Sequence, residues 1–304
     1  MQPRSRPPAP RRRIRPTASV GSKKGTKGPA PTPKVRHDRT VPVHVEIVSV
    51  GRELLRGRIH DENAEFLSAF LSQRGAVVHR IVTVDDKDKP ITAAITEALE
   101  RGANLIVTTG GLGPTADDRT LFAVSDAVNL PLAVHPHAKD MVEASYRRLH
   151  EKRMVSSAGL NAAREKLCTI PVSSEPIANE MGVAPGVLVR LPGGGVVLCL
   201  PGVPAETRAV FEASLPHLRD LAPKGAVARR EVETPTIDES ALRPVLDKLV
   251  AEFPYLWIKS HSPGFGPKNA RIVLTLEAGA PTQKEAEAAV EAALRRLLAM
   301  AGNR

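Results

Sequence analysis

Cysteine is almost missing from this 304-residue sequence, in which Cys168 and Cys199 are the only two. Two thiols cannot build a disulfide framework or a four-ligand zinc site, and apolar neighbours on both suit buried, inert thiols. Long apolar runs are missing too. None approaches the roughly 18–20 residues of a membrane span, and none follows the N-terminal charges as a secretory signal requires. Acids are missing from residues 1–40, where Asp38 stands alone against 12 of the 43 lysines and arginines. The rest of the chain holds 31 basic and 32 acidic side chains, so the formal net charge of +10 belongs to the N-terminal segment. The pI is therefore no sign of a nucleic-acid-binding body.

Residues 1–40 hold eight prolines and almost no large apolar side chains. They cannot bury enough surface to offset the entropy of ordering, so a disordered basic tail is expected. Three other readings stay open: translation starting near Val41, a tether to nucleic acid or membrane, and organelle targeting. Prolines would break the amphipathic helix that targeting needs. A cytoplasmic enzyme or binding protein is the natural class.

From Val41 the pattern alternates. Val45–Val50 reads as a buried strand, and Gly51–His60 as a loop or short turn. A helix capped by Asp61 follows, with Ala64, Leu67, Phe70 and Leu71 on one face and Gly75 after it. Val77–Val84 reads as a strand, the stretch opened by Pro90 as a helix, and Asn104–Thr109 as a third strand. This β-α-β-α-β order implies a largely parallel sheet with helices on both faces. Helices are expected at Leu121–Val128, continuing from a glycine loop, and at about 138–152, 157–167 and 204–215. A hairpin is expected around Pro192–Gly195. Beyond Pro223 the pattern restarts as a small α+β module: strands at Glu231–Thr236, Tyr255–Ser260 and Arg271–Glu277, and helices at Glu239–Phe253 and Thr282–Ala301.

The segment Thr109-Gly110-Gly111-Leu112-Gly113-Pro114-Thr115-Ala116-Asp117-Asp118-Arg119-Thr120 carries the chemistry. Glycines let the backbone turn sharply and bring N–H groups near a ligand, and a helix start favours phosphate. Thr115 and Asp118 have the spacing of a capping box, so a plain β-α turn is the competing reading. Asp117 and Asp118 would repel a phosphate unless a divalent cation lay between, which points to pyrophosphate chemistry with a metal.

Gly110–Thr120 resembles the signature of the molybdopterin-binding fold shared by molybdenum-cofactor biosynthesis proteins (MoaB/Mog-like) and the CinA family, the competence/damage-inducible proteins. Three further motifs resemble CinA: Gly51-Arg52-Glu53-Leu54-Leu55-Arg56-Gly57 followed by Asn63, Asn179 with Gly182-Val183-Ala184-Pro185-Gly186, and Leu200-Pro201-Gly202-Val203-Pro204-Ala205-Glu206. The resemblance implies a three-layer α/β/α molybdopterin-binding-like domain over residues 41–222 and a small α+β KH-like domain over 223–304, behind the 1–40 tail. It implies a short form without the C-terminal deamidase domain, and metal-dependent hydrolysis of ADP-ribose or a similar nucleotide diphosphate. Arg52 departs from the family's small polar residue, either to contact phosphate or to obstruct the pocket, and Asp85 replaces a common glycine.

Asp118, Asp86 and Glu53 are the expected catalytic and metal-binding residues, with a cap, a solvated turn acid and a solvated loop acid as their plainer roles. Thr109, Gly110, Gly111, Gly113, Thr115, Asn63, Asn179 and Glu206 are the expected phosphate- and nucleotide-binding set, with turn and capping bonds as the alternative. The expected cofactor is a divalent metal ion, and the expected partner a nucleotide-diphosphate or pterin small molecule. Oligomeric state is open, a homo-oligomer included. Rival functions are a molybdopterin-binding or adenylyl-transferring protein and a non-catalytic nucleotide sensor. Nucleic-acid binding is disfavoured, because the KH-like module offers Gly264-Phe265-Gly266 in place of a Gly-x-x-Gly clamp.

Overall fold

A computed structural model describes residues 43–221, 225–262 and 271–301. The expectation for residues 1–40, the proposed boundary at 222/223 and the Gly264-Phe265-Gly266 stretch all fall outside the described residues.

The chain opens with β1 (His44–Val50), α1 (Arg52–Leu55), α2 (Glu62–Gln73), β2 (Val77–Val84), α3 (Asp88–Glu100) and β3 (Leu105–Thr109). It continues with α4 (Thr120–Val128), β4 (Leu132–Val134), α5 (Pro136–Glu151), α6 (Ala162–Lys166), β5 (Thr169–Pro171) and β6 (Glu175–Ile177). Next come the hairpin of β7 (Gly186–Arg190) and β8 (Val196–Leu200), and α7 (Pro204–Ser214). The last part holds β9 (Ala226–Glu233), α8 (Glu239–Glu252), β10 (Leu256–His261), β11 (Val273–Ala280) and α9 (Gln283–Ala301).

Six strands form the main sheet in the order β2-β1-β3-β8-β7-β6. The first four run parallel, and β7 and β6 turn the far edge antiparallel. β3 and β8 are buried along their whole length, as strands covered on both faces must be. On one face Val48, Ile106 and Val197 meet Ile91 and Ile95 of α3, Val124 of α4 and Val142 of α5. On the other, Ile47, Val107 and Leu198 meet Leu67 and Leu71 of α2 and Phe211 of α7. Successive residues of each strand serve opposite faces, and the result is a three-layer α/β/α architecture. The antiparallel sheet β10-β11-β9 packs against α8 and α9 around its own core of Leu249, Leu274, Leu276 and Val290.

The register decides where the site lies. Val50 pairs with Val84, Ser49 with Thr109, and Thr109 with Leu200. All four parallel strands thus end at one rim, the side where open α/β sheets bind ligands.

Several expectations shift. The Gly51–His60 loop contains a one-turn helix, α1. α3 starts at Asp88, two residues before Pro90, because Pro90 still lies in the first turn, where an N–H has no helical partner. α6 is confined to Ala162–Lys166, and residues 157–159 instead wrap the Arg164 guanidinium, which bonds the carbonyls of Ser157 and Gly159. β9 begins five residues before the expected Glu231. The three-residue strands β4, β5 and β6 had no sequence signal.

Candidate functional site

At the end of β3 the chain turns with two consecutive glycines at positive φ, Gly110 at 91° and Gly111 at 69°. Space demands glycine here as well. A Cβ on Gly110 would lie 2.3 Å from the Val50 carbonyl oxygen, and one on Gly202 would lie 3.2 Å from the Gly110 Cα. Thr120 closes the loop from the far side: its hydroxyl donates to the Gly110 carbonyl at 2.7 Å and its N–H to that of Gly111 at 3.1 Å. α4 therefore begins at Thr120 and does not run on from the glycines. The Thr115–Asp118 pair makes capping-box-like bonds with no helix behind them. Asp118 Oδ2 accepts from the Thr115 N–H at 2.9 Å and hydroxyl at 2.6 Å. Residues 115–118 form a tight turn ahead of the helix, so the expected cap is corrected to a turn lock. Arg119, at the cap position, makes no side-chain cap bond. It forks onto Asp88 at 2.6 and 2.7 Å and stacks over Phe122.

Around this loop lies a cavity of about 630 Å³ at the strand rim. Glu53, Asn63, Asp86, Thr109, Gly110, Gly111, Gly113, Asp118 and Glu206 all line it. Thr115 and Asn179 do not, but each holds a residue that does. Asn179 donates to Glu206 Oε2 at 2.7 Å and to the Ala184 carbonyl at 2.8 Å, while its own oxygen accepts from the N–H groups of Met181 and Gly182. Asn63 donates to the Gly202 carbonyl at 2.8 Å, tying α2 to the loop after β8. Asp61, besides lining the cavity, caps α2 through the Ala64 N–H. Half-exposed Ile59 and Val203 add apolar surface to the cavity lining.

The acids differ in their surroundings. Asp85 accepts from Arg52 Nε at 2.8 Å, and that guanidinium, with a hydrogen bond from Asp86, holds its carboxyl well below the usual range. Asp86 moves upward, first through that bond to Asp85 and then through partial desolvation. Its Oδ1 is buried without a hydrogen-bond partner; the Arg52 guanidinium stands 3.5 Å away. The Thr115 hydroxyl lowers Asp117. Arg52 thus neither fills the cavity nor stands free, being held beside it by its two acids. Among the described residues no three His, Cys, Asp or Glu side chains are grouped closely enough to hold a metal ion. His135 caps α5 through the Ala138 N–H at 3.4 Å.

Sequence reasoning missed Lys166. Its ammonium donates to the carbonyls of Gly113 at 3.3 Å, Asp118 at 2.6 Å and Thr115, reaching the loop from α6. No local pattern marks a lysine whose partners lie about 50 residues earlier.

The sequence pattern described as a probable molybdopterin binding domain matches residues 46–220. A protein of Aeropyrum pernix is 39% identical over 252 residues, 83% of this chain and 91% of that protein. One of Pyrococcus horikoshii is 36% identical over 226 residues, 74% of this chain and 86% of its own. Among solved structures, a CinA protein of unknown function from Thermoplasma acidophilum superposes with a TM-score of 0.52 at 35% identity, covering 58% of this chain and 98% of that one.

Proposed function

The chain belongs to the probable molybdopterin binding domain family, in its CinA-like form, and on that premise we propose that the rim cavity hydrolyses ADP-ribose or a similar nucleotide diphosphate. The observation that carries the reading is that a glycine turn and the carboxylates Glu53, Asp86 and Asp118 line one cavity. Phosphate alone would be repelled there; phosphate carrying a divalent cation would not. A cation of this kind completes its shell with phosphate oxygens and needs only one or two carboxylates from the protein. The Asp86 Oδ1, which accepts no hydrogen bond and has the Arg52 guanidinium 3.5 Å away, suits that arrangement. The cation would supply charge neutralisation at the pyrophosphate. Loop N–H groups would orient the phosphates, Glu206, held by Asn179, would border the adenine base, and Ile59 and Val203 would offer that base apolar surface. Water adds to one phosphorus, the bridging P–O bond breaks, and AMP and ribose phosphate leave as dianions with release of two protons.

The test is chromatography of AMP after incubating the purified chain with ADP-ribose, related nucleotide diphosphates and a series of divalent cations. Cation-dependent AMP release is expected. Saturable binding of a phosphorylated pterin without hydrolysis of any nucleotide would favour the second reading, a pterin-binding protein, which the family match over residues 46–220 supports. Neither turnover nor binding would remove both.

A further inference from the structure

Lys166 stands where a bound cation would stand. Its ammonium has three protons, and three backbone carbonyls take them, those of Gly113, Thr115 and Asp118. The lysine comes from α6, in a separate part of the chain, so the six-residue turn closes around a charge it does not itself supply. Across a trans peptide the C=O of one residue and the N–H of the next point in opposite directions. Drawing the carbonyls of Thr115 and Asp118 onto one ammonium therefore turns the N–H groups of Ala116 and Arg119 away from it. The same charge lies near the carboxylates of Asp117 and Asp118, and burial lowers the lysine's affinity for its proton while those two acids restore part of it.

We propose that Lys166 is the positioning residue of the 113–118 turn, its ammonium serving as a built-in monovalent cation, so that removing it opens a carbonyl-lined site that an exogenous alkylammonium can fill. The role rests on the reading of the rim cavity as a phosphate site only for its effect on ligand affinity; the cation site itself does not depend on that reading. Lys166 does not line the cavity, so its effect on a ligand passes through the turn.

The experiment compares the full chain with Lys166→Ala and Lys166→Met. Alanine removes three methylenes and the ammonium, the shape of propylammonium. Methionine keeps an unbranched stem that fills the space and donates nothing. Melting temperature is measured with and without millimolar propylammonium, and with tetramethylammonium, which has the charge but no N–H. Affinity for ADP-ribose and for inorganic pyrophosphate is measured by calorimetry under the same conditions. Expected are a lower melting temperature in both variants and at least tenfold weaker binding. Propylammonium should raise the melting temperature of Lys166→Ala alone and recover at least half of its lost affinity on a logarithmic scale, with tetramethylammonium inactive. A Lys166→Ala protein indifferent to propylammonium, or a Lys166→Met protein with the melting temperature of the unaltered chain, would overturn the proposal. If the unaltered chain binds neither probe, the phosphate reading fails, and the selective thermal response to propylammonium still decides the cation site. If Lys166→Ala does not fold even with propylammonium present, the proposal is overturned in its rescue claim.

Discussion

Glu46 occupies the middle of β1 with 1% of its surface exposed. A carboxylate buried alone would be costly, and Arg101 answers it with a two-pronged contact, Nε to Oε1 at 2.8 Å and a terminal nitrogen to Oε2 at 2.7 Å. That contact holds the Glu46 carboxyl below its ordinary value of 4.5. Its stabilising contribution is therefore complete above about pH 4.5 and is lost as pH falls through the lower folded value. Glu46→Gln should cost about 2 kcal/mol at pH 7, less than a fully buried broken pair because Arg101 reaches solvent. Urea midpoints from pH 7 to 3 check this: the variant should show a shallower acid decline than the unaltered protein, and parallel curves would exclude the linkage. Asp118 poses the complementary question. Asparagine can still accept from the Thr115 N–H, so Asp118→Asn should change stability by less than about 1 kcal/mol. If the carboxylate serves the cation, turnover should fall roughly 10²-fold, about 2.7 kcal/mol of transition-state stabilisation. Hydrolysis and melting measured on one preparation separate the two roles, and normal turnover would transfer the cation to Glu53, Asp86 or Asp117.

Turns at similar backbone angles can differ in what surrounds them. Gly110 has φ 91° and Gly194, in the β7–β8 hairpin, has φ 89°. A Cβ at Gly194 meets nothing within 4 Å, whereas at Gly110 it runs into the Val50 carbonyl. Alanine at 194 should cost about 1–2 kcal/mol from backbone strain alone. At 110 the collision must be added, and a loss of at least about 3 kcal/mol is expected. Equal shifts in denaturation midpoint would show that the close approach relaxes freely. The same contrast explains what the sequence could and could not convey about elements. β1, β3 and α2 were legible because Val45–Val50 and Asn104–Thr109 are short, largely apolar runs and Ala64–Leu71 repeats at helical spacing. The hairpin was legible from Pro192–Gly195. The start of α4 was not, since Thr120 is fixed by carbonyls ten residues upstream. β5 and β6 are three residues long and each contains a proline, too short for alternation to register. Asp86, Thr109, Gly110 and Gly111 fell at strand ends, where the register gathers them, while Glu53, Asn63 and Glu206 came from helices. Their individual work was hidden: the grip of Asn179 on Glu206 spans 27 positions, and that of Lys166 on the glycine turn about 50.

At the scale of the molecule, the described residues that line the cavity lie between Val50 and Glu206, while the three-stranded sheet closes a core of its own. Leu276 is fully buried in that second core. Leu276→Ala should cost about 2–5 kcal/mol there and leave the affinity of the cavity for ADP-ribose unchanged. Calorimetric unfolding should then resolve an early transition for the small module; one merged transition with weakened binding would show that the two cores stand or fall together. The close approach of the Val50 carbonyl to Gly110 limits how this protein could be re-engineered. Backbone of β1 stands against backbone of the loop there, so no exchange of side chains can make room, whereas a Cβ at 202 would need only a few tenths of an ångström from the Gly110 Cα. A mutational library aimed at a new ligand should therefore hold Gly110 fixed and vary the lining at Ile59, Val183 and Val203. Functional clones should emerge from that diversity, and clones altered at Gly110 should vanish from the selected pool before ligand preference is ever tested.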